Sequence, residues 1–312
     1  MIVIACPGQG SQTPGFLTEW LDLPGARDFL EAASDASGVD LIRHGTTSDA
    51  DTIRATEIAQ PLIVAASILS GSTLHERIDI SNAGVAGHSV GEFAAAVSAG
   101  VLSPIAAMQL VGVRGRAMAE AATRESTGMS AVVGGVEADV LAAIAEHGLT
   151  PANRNGGGQI VAAGALPALA ALAESAPRGA RVIPLQVAGA FHTEYMASAV
   201  PVLQNAAASV AAAEPARTLW TNADGSVVTS GSRFVDLLVS QIANPVRWDA
   251  CMEGFQAAGI TGLIEMTPAG ALTGIAKRGL KGVPTVAVKT PADLDAAVEL
   301  INQAGAEAAR EL

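Results

Sequence analysis

The chain has 312 residues, of which 50% are hydrophobic and 3% aromatic, and it contains 33 glycines. This length and composition predict one large domain, or one large and one small, with a core of Ala, Val, Leu and Ile. The formal net charge of −12 argues against a nucleic-acid partner, and the two cysteines, Cys6 and Cys251, are too few for a disulfide framework or a metal site.

The sequence also argues against a membrane protein. No apolar run reaches the roughly 18 to 20 uninterrupted residues of a membrane helix. The first residues, "MIVIACPGQGSQ", are a short apolar run and a Pro/Gly turn, without the basic region or the length of a signal peptide. We therefore expect a cytoplasmic protein that does not bind membranes, and a monomer is the simplest state.

Short β-rich runs alternate with alanine-rich helical patterns over most of the chain, which predicts the α/β class. In chain order, the first half predicts a strand over 2–6, a helix over 56–70, a strand over 83–87, a helix from Ser89 or Val90 to Gly100, and a long helix after the Ser103-Pro104 cap. This order predicts a hydrolase-like core with a parallel sheet.

The segment from 128 to 188 has a different pattern. It predicts strands over 129–135, 149–155, 159–164 and 180–187, and helices over 137–146 and 166–175. This β-α-β-β-α-β order is that of ferredoxin-like folds. We therefore predict an inserted ferredoxin-like small subdomain over residues 125–190, which lies over a cleft of a large α/β catalytic subdomain made of residues 1–124 and 191–312.

The remainder predicts a helix from about 193, a strand over 218–222, helices within 233–258, a strand over 263–266 and a closing helix-strand-helix. The last residues, "GAEAAREL", are expected to fray. Residues 154–159 are glycine-rich but fit a hairpin loop, and "GQGSQ" lacks the lysine of a phosphate-binding loop. The sequence thus predicts no cofactor and no metal.

The run from Gly87 to Gly91 fits the pattern G-x-S-x-G, with a strand before it and a helix after it. A sharp turn between the two elements needs glycine on each side, because a Cβ atom would clash there. Ser89 would then project as a nucleophile at the positive end of the helix, where backbone N–H groups can receive an oxyanion. The alternative is an ordinary serine that caps a helix.

A nucleophilic serine needs a base, and the chain offers five histidines. His88 adjoins Ser89 and its side chain would point elsewhere, whereas His44, His75 and His147 lie in polar surroundings. His192 stands where a predicted strand ends and a small-residue turn opens a helix, which is where sites gather in α/β folds. The alternative is a histidine that merely starts that helix.

No acidic residue completes a triad. In the best-placed interval, 93–191, the acidic residues all lie in helical or edge settings: Glu120, Glu125, Glu137, Asp139, Glu146 and Glu174. A dyad whose histidine is oriented by a neutral group fits better than the acid of an ordinary α/β-hydrolase.

Five segments together resemble a known family: "PGQGSQ" at 7–12, "GHSVGE" at 87–92, "VRGRAM" at 113–118, "GAFHTEYM" at 189–196 and "QIANPVRW" at 241–248. In this order, and over nearly the whole chain, they resemble malonyl-CoA:acyl carrier protein transacylases, in particular the actinobacterial branch. The resemblance implies an S-malonyltransferase. Such an enzyme moves malonyl from malonyl-CoA to the phosphopantetheine thiol of acyl carrier protein through a malonyl-serine, for fatty-acid or polyketide synthesis.

The resemblance also implies roles for individual residues. Ser89 would be acylated, His192 would be the base, and the side-chain carbonyl of Gln241 would hold the imidazole. The backbone N–H groups of Gln9 and Val90 would form the oxyanion hole. Four residues would bind substrate: Arg114, Phe191, Asn153 and Asn155.

Two of these substrate residues can be argued further. The guanidinium of Arg114 can take the free carboxylate of malonyl bidentately, which acetyl does not offer; the alternative is a cation on a helix surface. In related acyltransferases "AFH" accompanies malonyl, and the ring of Phe191 would crowd a 2-methyl branch; the alternative is plain core packing.

Two rival functions stay open. A serine thioesterase or esterase would pass the acyl group to water, and a silent domain would bind carrier protein as a scaffold. Carrier proteins are acidic, so we expect a basic rim near the cleft, formed by Arg116, Lys277, Arg278 and Lys281. The segment "EMTPAGAL" at 265–272 departs from the family pattern and is expected to adjust substrate binding rather than the reaction.

Overall fold

The computed structural model describes residues 1–308, so the expected fraying over 305–312 lies partly outside the described residues. The strands are β1 (Ile2–Cys6), β2 (Gly84–Gly87), β3 (Thr127–Gly134), β4 (Thr150–Gly156), β5 (Gln159–Ala165), β6 (Ala180–Pro184), β7 (Val246–Arg247), β8 (Gly262–Glu265) and β9 (Thr285–Ala287). The α-helices are α1 (Ala26–Ser37), α2 (Leu41–Thr46), α3 (Thr56–Arg77), α4 (Gly91–Ser98), α5 (Pro104–Ala122), α6 (Glu137–Glu146), α7 (Leu166–Glu174), α8 (Val200–Ala207), α9 (Gly231–Ser240), α10 (Trp248–Ala257), α11 (Ala271–Gly279) and α12 (Leu294–Ala308).

The first sheet has the order β2-β1-β8-β9, and every neighbouring pair is parallel. All five residues of β1 are buried, which is why this strand is apolar throughout rather than alternating. The predicted α/β class with a parallel sheet is confirmed. Cys6 pairs with Gly87, and Ala5 pairs with Glu265, so the loops after β1, β2 and β8 leave the sheet at one edge. Sites in such sheets gather at this carboxyl edge.

The strand predicted over 218–222 is wrong in extent. Only isolated bridges form there, Leu219 with Val85 and Trp220 with Val227. The chain turns back at once, with the Gly225 N–H bonded to the Thr221 carbonyl at 2.9 Å. The turn ends the strand early and leaves the next side chain, Asn222, beside β2.

The second sheet has the order β6-β3-β5-β4-β7, antiparallel except for the parallel pair β4–β7. Its first four strands and two helices follow in the predicted sequence order, and α6 has the predicted bounds. A separate apolar cluster lies between the sheet and these helices: Val132, Val140, Ile144, Leu149, Ile160, Ala162, Leu169 and Leu172.

Strand β7 was not predicted from sequence, because two residues carry too short a pattern. It pairs Val246 with Asn153 and Arg247 with Arg154. Ion pairs join both strands to one carboxylate of α10: Asp249 lies 3.2 Å from Arg154 of β4 and 2.9 Å from Arg247 of β7. The second sheet is therefore tied to the rest of the chain beyond its two connections.

Helix α3 is the one helix among residues 1–308 that is long and apolar enough to cross a membrane, by length and composition only. In the fold, 72% of its apolar window is buried, against α4 and α5 among others. It extends to Arg77, beyond the predicted end. Helix α5 begins as predicted, with the Ser103 hydroxyl accepting the Ala106 N–H at 3.2 Å and Pro104 in the first turn.

Candidate active site

The serine elbow lies between β2 and α4. Ser89 has φ of 52°, in the left-handed region that side chains rarely adopt. A Cβ atom on Gly87 would lie 2.1 Å from the carbonyl carbon of Gly91, and one on Gly91 would lie 2.2 Å from the Cys6 oxygen. Both glycines are therefore required by close backbone contact, as the sequence predicted for a sharp strand-to-helix turn.

The side chain of Asn222 fixes the backbone of the elbow through two hydrogen bonds. Its Oδ1 accepts the backbone N–H of Ser89 at 2.7 Å, and its Nδ2 donates to the carbonyl of Gly87 at 2.7 Å. The residue is fully buried. Sequence reasoning missed this role, because nothing in "TLWTN" distinguishes a clamping asparagine from a turn residue.

Ser89 and His192 form a hydrogen-bonded pair, with 2.7 Å between Oγ and Nε2. The imidazole Nδ1 lies 2.8 Å from the main-chain carbonyl oxygen of Gln241. Since a carbonyl only accepts, Nδ1 carries the proton and Nε2 is free to accept from the serine. The prediction that the side-chain carbonyl of Gln241 holds the imidazole is wrong: the main-chain carbonyl does so, because the Gln241 side chain points to Arg114.

The histidine is neutral in this setting. Burial lowers the pKa of His192 to about 3, and the charge of Arg114 acts in the same direction, while the hydrogen bond to Gln241 raises the pKa. The side chain is 3% exposed. A neutral imidazole is the form that can act as a base.

Arg114 comes from α5 and is 1% exposed, so the alternative of a surface cation is wrong. Its Nη1 donates to Oε1 of Gln60 at 2.6 Å, and its Nη2 donates to Oε1 of Gln241 at 2.9 Å. Its Nε is buried and has no hydrogen-bond partner in the part of the chain that the structure describes. Burial lowers the pKa of Arg114 to about 10, so the group stays charged at neutral pH.

A cavity of about 80 Å³ opens beside Ser89. Seven of the predicted site residues line it: Gln9, Ser89, Val90, Arg114, Asn153, Phe191 and His192. Met118 and Met129 also line the cavity with apolar side chains. Leu185 and Val187, from the segment after β6, line it as well. The cavity therefore places a cation, a serine and a histidine around one small space.

The two predicted oxyanion donors lie at the mouth of the elbow. Gln9 follows β1 and Val90 follows Ser89, and both line the cavity. Neither backbone N–H donates to a protein acceptor within residues 1–308. Two free N–H groups beside a nucleophile are the arrangement that an oxyanion requires.

The two predicted asparagines differ in position. Asn153 lines the cavity, and its Oδ1 is buried without a protein partner among the described residues. Asn155 does not face the cavity, which corrects the prediction: its Oδ1 lies 2.8 Å from Nε2 of His88, and its Nδ2 donates to Gln159 at 2.9 Å. Asn155 thus holds His88, whose ring packs edge-on against Trp248; His88 also lines the cavity, but the hydrogen bond of Ser89 goes to His192.

The prediction of a basic rim near the cleft is wrong for Arg116. Arg116 lies two residues beyond Arg114, about 200° around the helix, and donates to the Ser37 carbonyl at 2.7 Å, away from the cavity. Arg278 donates to the Gly157 carbonyl at 3.0 Å, next to the β4–β5 turn.

The loop at 265–272 follows β8, at the same edge as the elbow. Its Glu265 accepts three backbone N–H groups, from Gly270, Leu272 and Thr273.

A serine on a strand–helix elbow, bonded to a neutral histidine beside two free N–H groups, is typical of enzymes that transfer acyl groups through serine. Comparison with known proteins agrees, since the family model described as "Acyl transferase domain" matches residues 3–302. The chain belongs to this family, among its malonyl CoA-acyl carrier protein transacylases.

The relatives cover the chain almost completely. The malonyl CoA-acyl carrier protein transacylase of Mycobacterium tuberculosis H37Rv is 52% identical over 297 residues, 95% of this chain and 98% of that protein. The crystal structure of MCAT from Mycobacterium tuberculosis superposes with a TM-score of 0.92 and covers 96% and 99% of the two chains. A malonyl-transacylase in complex with a type II PKS acyl-carrier protein, 30% identical, has a TM-score of 0.88 over 96% and 99%.

Proposed function

We propose that this chain transfers malonyl from malonyl-CoA to the phosphopantetheine thiol of an acyl carrier protein, through a malonyl ester on Ser89. The names of its relatives support the donor and the acceptor. The observation that carries the proposal is the buried guanidinium of Arg114 in the cavity of the serine–histidine pair. An acyl chain without a carboxylate would leave such a buried cation without an anionic partner.

The first half-reaction loads the serine. Nε2 of His192 takes the proton of Ser89 as Oγ attacks the thioester carbonyl. The backbone N–H groups of Gln9 and Val90 donate to the oxyanion of the tetrahedral intermediate. When the carbon–sulfur bond breaks, the coenzyme A thiolate takes the proton from His192 and leaves.

The second half-reaction reverses these roles. The phosphopantetheine thiol gives its proton to His192 and attacks the malonyl ester on Ser89. The same N–H groups hold the oxyanion, and the serine oxygen recovers its proton from His192 as the new thioester forms. The acyl group changes carrier and the enzyme is regenerated without a cofactor beyond the coenzyme A thioester substrate.

Arg114 gives selectivity for malonyl over acetyl. Gln60 and Gln241 each take one N–H of the guanidinium, and the unpartnered Nε–H remains buried. A substrate carboxylate that accepts from this group forms charged hydrogen bonds worth about 1.5–3 kcal/mol each. Acetyl would enter the same cavity without that contact. Phe191 narrows the cavity in a way that disfavours a methyl branch on the malonyl carbon.

We also propose the division into subdomains, with a ferredoxin-like unit over 125–190 and a hydrolase-like core over 1–124 and 191–312. The sheet order β6-β3-β5-β4 and the separate cluster around Val132 and Leu149 support the small unit. It supplies Asn153 and Leu185 to the cavity wall. Its function is to exclude water from the ester, because hydrolysis competes with transfer. The reaction suits a cytoplasmic enzyme of fatty-acid synthesis, and polyketide synthesis would use the same step.

Intact-protein mass spectrometry after brief exposure to malonyl-CoA, acetyl-CoA and methylmalonyl-CoA tests the proposal. We expect a malonyl adduct on the wild type that acyl carrier protein removes, and no adduct on Ser89→Ala. In Arg114→Ala the malonyl adduct should form at least tenfold more slowly, while Arg116→Ala, on the same helix but away from the cavity, should match the wild type.

The rival functions give other results. Free malonate without an adduct would indicate a thioesterase, and neither adduct nor turnover would indicate a silent carrier-binding domain. An adduct that forms equally fast from acetyl-CoA would contradict the role of Arg114.

A further inference from the structure

Glu92 lies directly behind the elbow and takes no part in the two half-reactions. It follows Ser89 by three residues, in the first turn of α4, and it is 1% exposed. Burial of a carboxylate costs free energy unless hydrogen bonds or an opposite charge compensate it. Its contacts therefore indicate what it does.

The carboxylate contacts both residues that hold the serine–histidine pair. Its Oε1 accepts the backbone N–H of Asn222 at 2.7 Å, and its Oε2 accepts the side-chain N–H of Gln241. Asn222 clamps the elbow through its amide, and Gln241 holds the imidazole of His192 through its main-chain carbonyl. The buried side chain of Glu92 thus contacts both Asn222 and Gln241, the two residues that support the serine–histidine pair.

The amide of Gln241 stands between two opposite charges. Its Nε2 donates to Glu92 and also to the Ser89 carbonyl at 3.1 Å, and its Oε1 accepts from Nη2 of Arg114 at 2.9 Å. None of the ion pairs formed by the described residues joins Glu92 directly to Arg114. The cation is therefore compensated through the amide, while its own N–H groups are not taken by a protein carboxylate.

We propose that Glu92 is a positioning residue: it fixes the orientation of the Gln241 amide and so keeps Arg114 in place for the substrate carboxylate. This inference rests on the proposed malonyl transfer. A carboxylate only accepts hydrogen bonds, so Gln241 must turn its N–H2 group to Glu92 and its oxygen to Arg114. Burial raises the pKa of Glu92 to about 7, while the bonds from Asn222 and Gln241 and the charge of Arg114 oppose that rise.

The Glu92→Gln variant separates this role from mere packing, because it keeps the size of the side chain. Its amide oxygen would face the Asn222 N–H, a donor that cannot change. Its N–H2 group would then oppose the N–H2 group of Gln241. Gln241 can relieve this opposition only by turning its amide, which breaks its bond to the Ser89 carbonyl and presents N–H2 to Arg114. Two donors would oppose each other at Arg114, so the substitution should affect malonyl more than acetyl.

The experiment measures the rate of adduct formation on Ser89 with malonyl-CoA and with acetyl-CoA. For Glu92→Gln we expect the malonyl-to-acetyl ratio of rates to fall about tenfold or more, mainly through KM for malonyl-CoA. In the Arg114→Ala background the same substitution should leave the ratio unchanged, because the residue through which it acts is gone. The surface variant Glu146→Gln is the matched control and should behave as the wild type.

Several outcomes would overturn the inference. They are an unchanged ratio in Glu92→Gln, an equal fall of both rates, or a further fall in the double variant. If Glu92→Gln does not fold, Gln241→Met removes the amide and keeps the carboxylate, and the same loss of ratio is required of it. A wild type without a malonyl adduct would instead overturn the proposed function, and the inference with it.

Discussion

Replacing Asn222 with alanine should release the serine elbow. The substitution removes two hydrogen bonds of 2.7 Å and leaves the Ser89 N–H and the Gly87 carbonyl buried without these partners. Each orphaned group costs about 1–3 kcal/mol, and relaxation of the left-handed φ of Ser89 returns part of it. We therefore expect the free energy of unfolding to fall by about 2–4 kcal/mol.

The same change should slow acylation. A relaxed Ser89 moves its Oγ away from Nε2 of His192, which lies 2.7 Å away in the intact elbow. A misplacement worth about 1.4 kcal/mol lowers the rate tenfold, and we expect at least that loss in the rate of malonyl adduct formation. This rate should be measured on the folded protein, at urea concentrations below those at which unfolding begins.

Urea unfolding followed by circular dichroism measures the first effect, and intact mass after timed quenching measures the second. The exposed Asn82→Ala variant controls for the loss of an asparagine side chain. If Asn222→Ala unfolds within about 0.5 kcal/mol of the wild type and acylates at the same rate, Asn222 does not hold the elbow.

Two further predictions concern the elbow glycine and the histidine. Gly91→Ala should unfold at a much lower temperature or not fold at all, because its Cβ would lie 2.2 Å from the Cys6 oxygen; Gly274→Ala, with open space around it, is the control in thermal unfolding. In Glu92→Gln, which lacks the carboxyl whose pKa is raised to about 7, the acylation rate should show no inflection near 6.5 between pH 5 and 8. The pKa of His192 is lowered to about 3, so the imidazole is neutral throughout and is protonated only as the pH falls toward that value.

The contradicting results are distinct. A Gly91→Ala protein as heat-stable as the control would show that the strand and helix can separate at no cost. For the histidine, a half-maximal rate near pH 6.5 in Glu92→Gln as well as in the wild type would show that His192 titrates as an exposed imidazole does.

The sequence predicted an element best where the residues that determine it lie close together in the chain. The Ser103-Pro104 cap, the helix over 137–146 and the two glycines around Ser89 act over a few residues, so they can be read from sequence. His192 was predicted from its place after a strand, but that strand, β6, belongs to the second sheet, so His192 meets Ser89 through the segment after β6 and not at a shared edge of the parallel sheet.

The supporting groups could not be predicted, because their roles depend on contacts far apart in sequence. Which oxygen of Gln241 meets the imidazole is decided by the backbone path after α9, and no motif records it. Glu92 stands in "GHSVGE", yet its partners lie 130 and 149 positions away. The short helix α2 and the two-residue β7 lacked enough residues to show a period.

The pairing of β4 with β7 gives the second sheet a fixed edge and a free one. Val246, in β7, is fully buried and follows the Gln241 segment by a few residues, whereas β6 at the opposite edge is largely exposed. The same pairing places Asn153, which lines the cavity, next to the segment whose Gln241 carbonyl holds His192, whereas β6 has no strand partner besides β3 among the described residues.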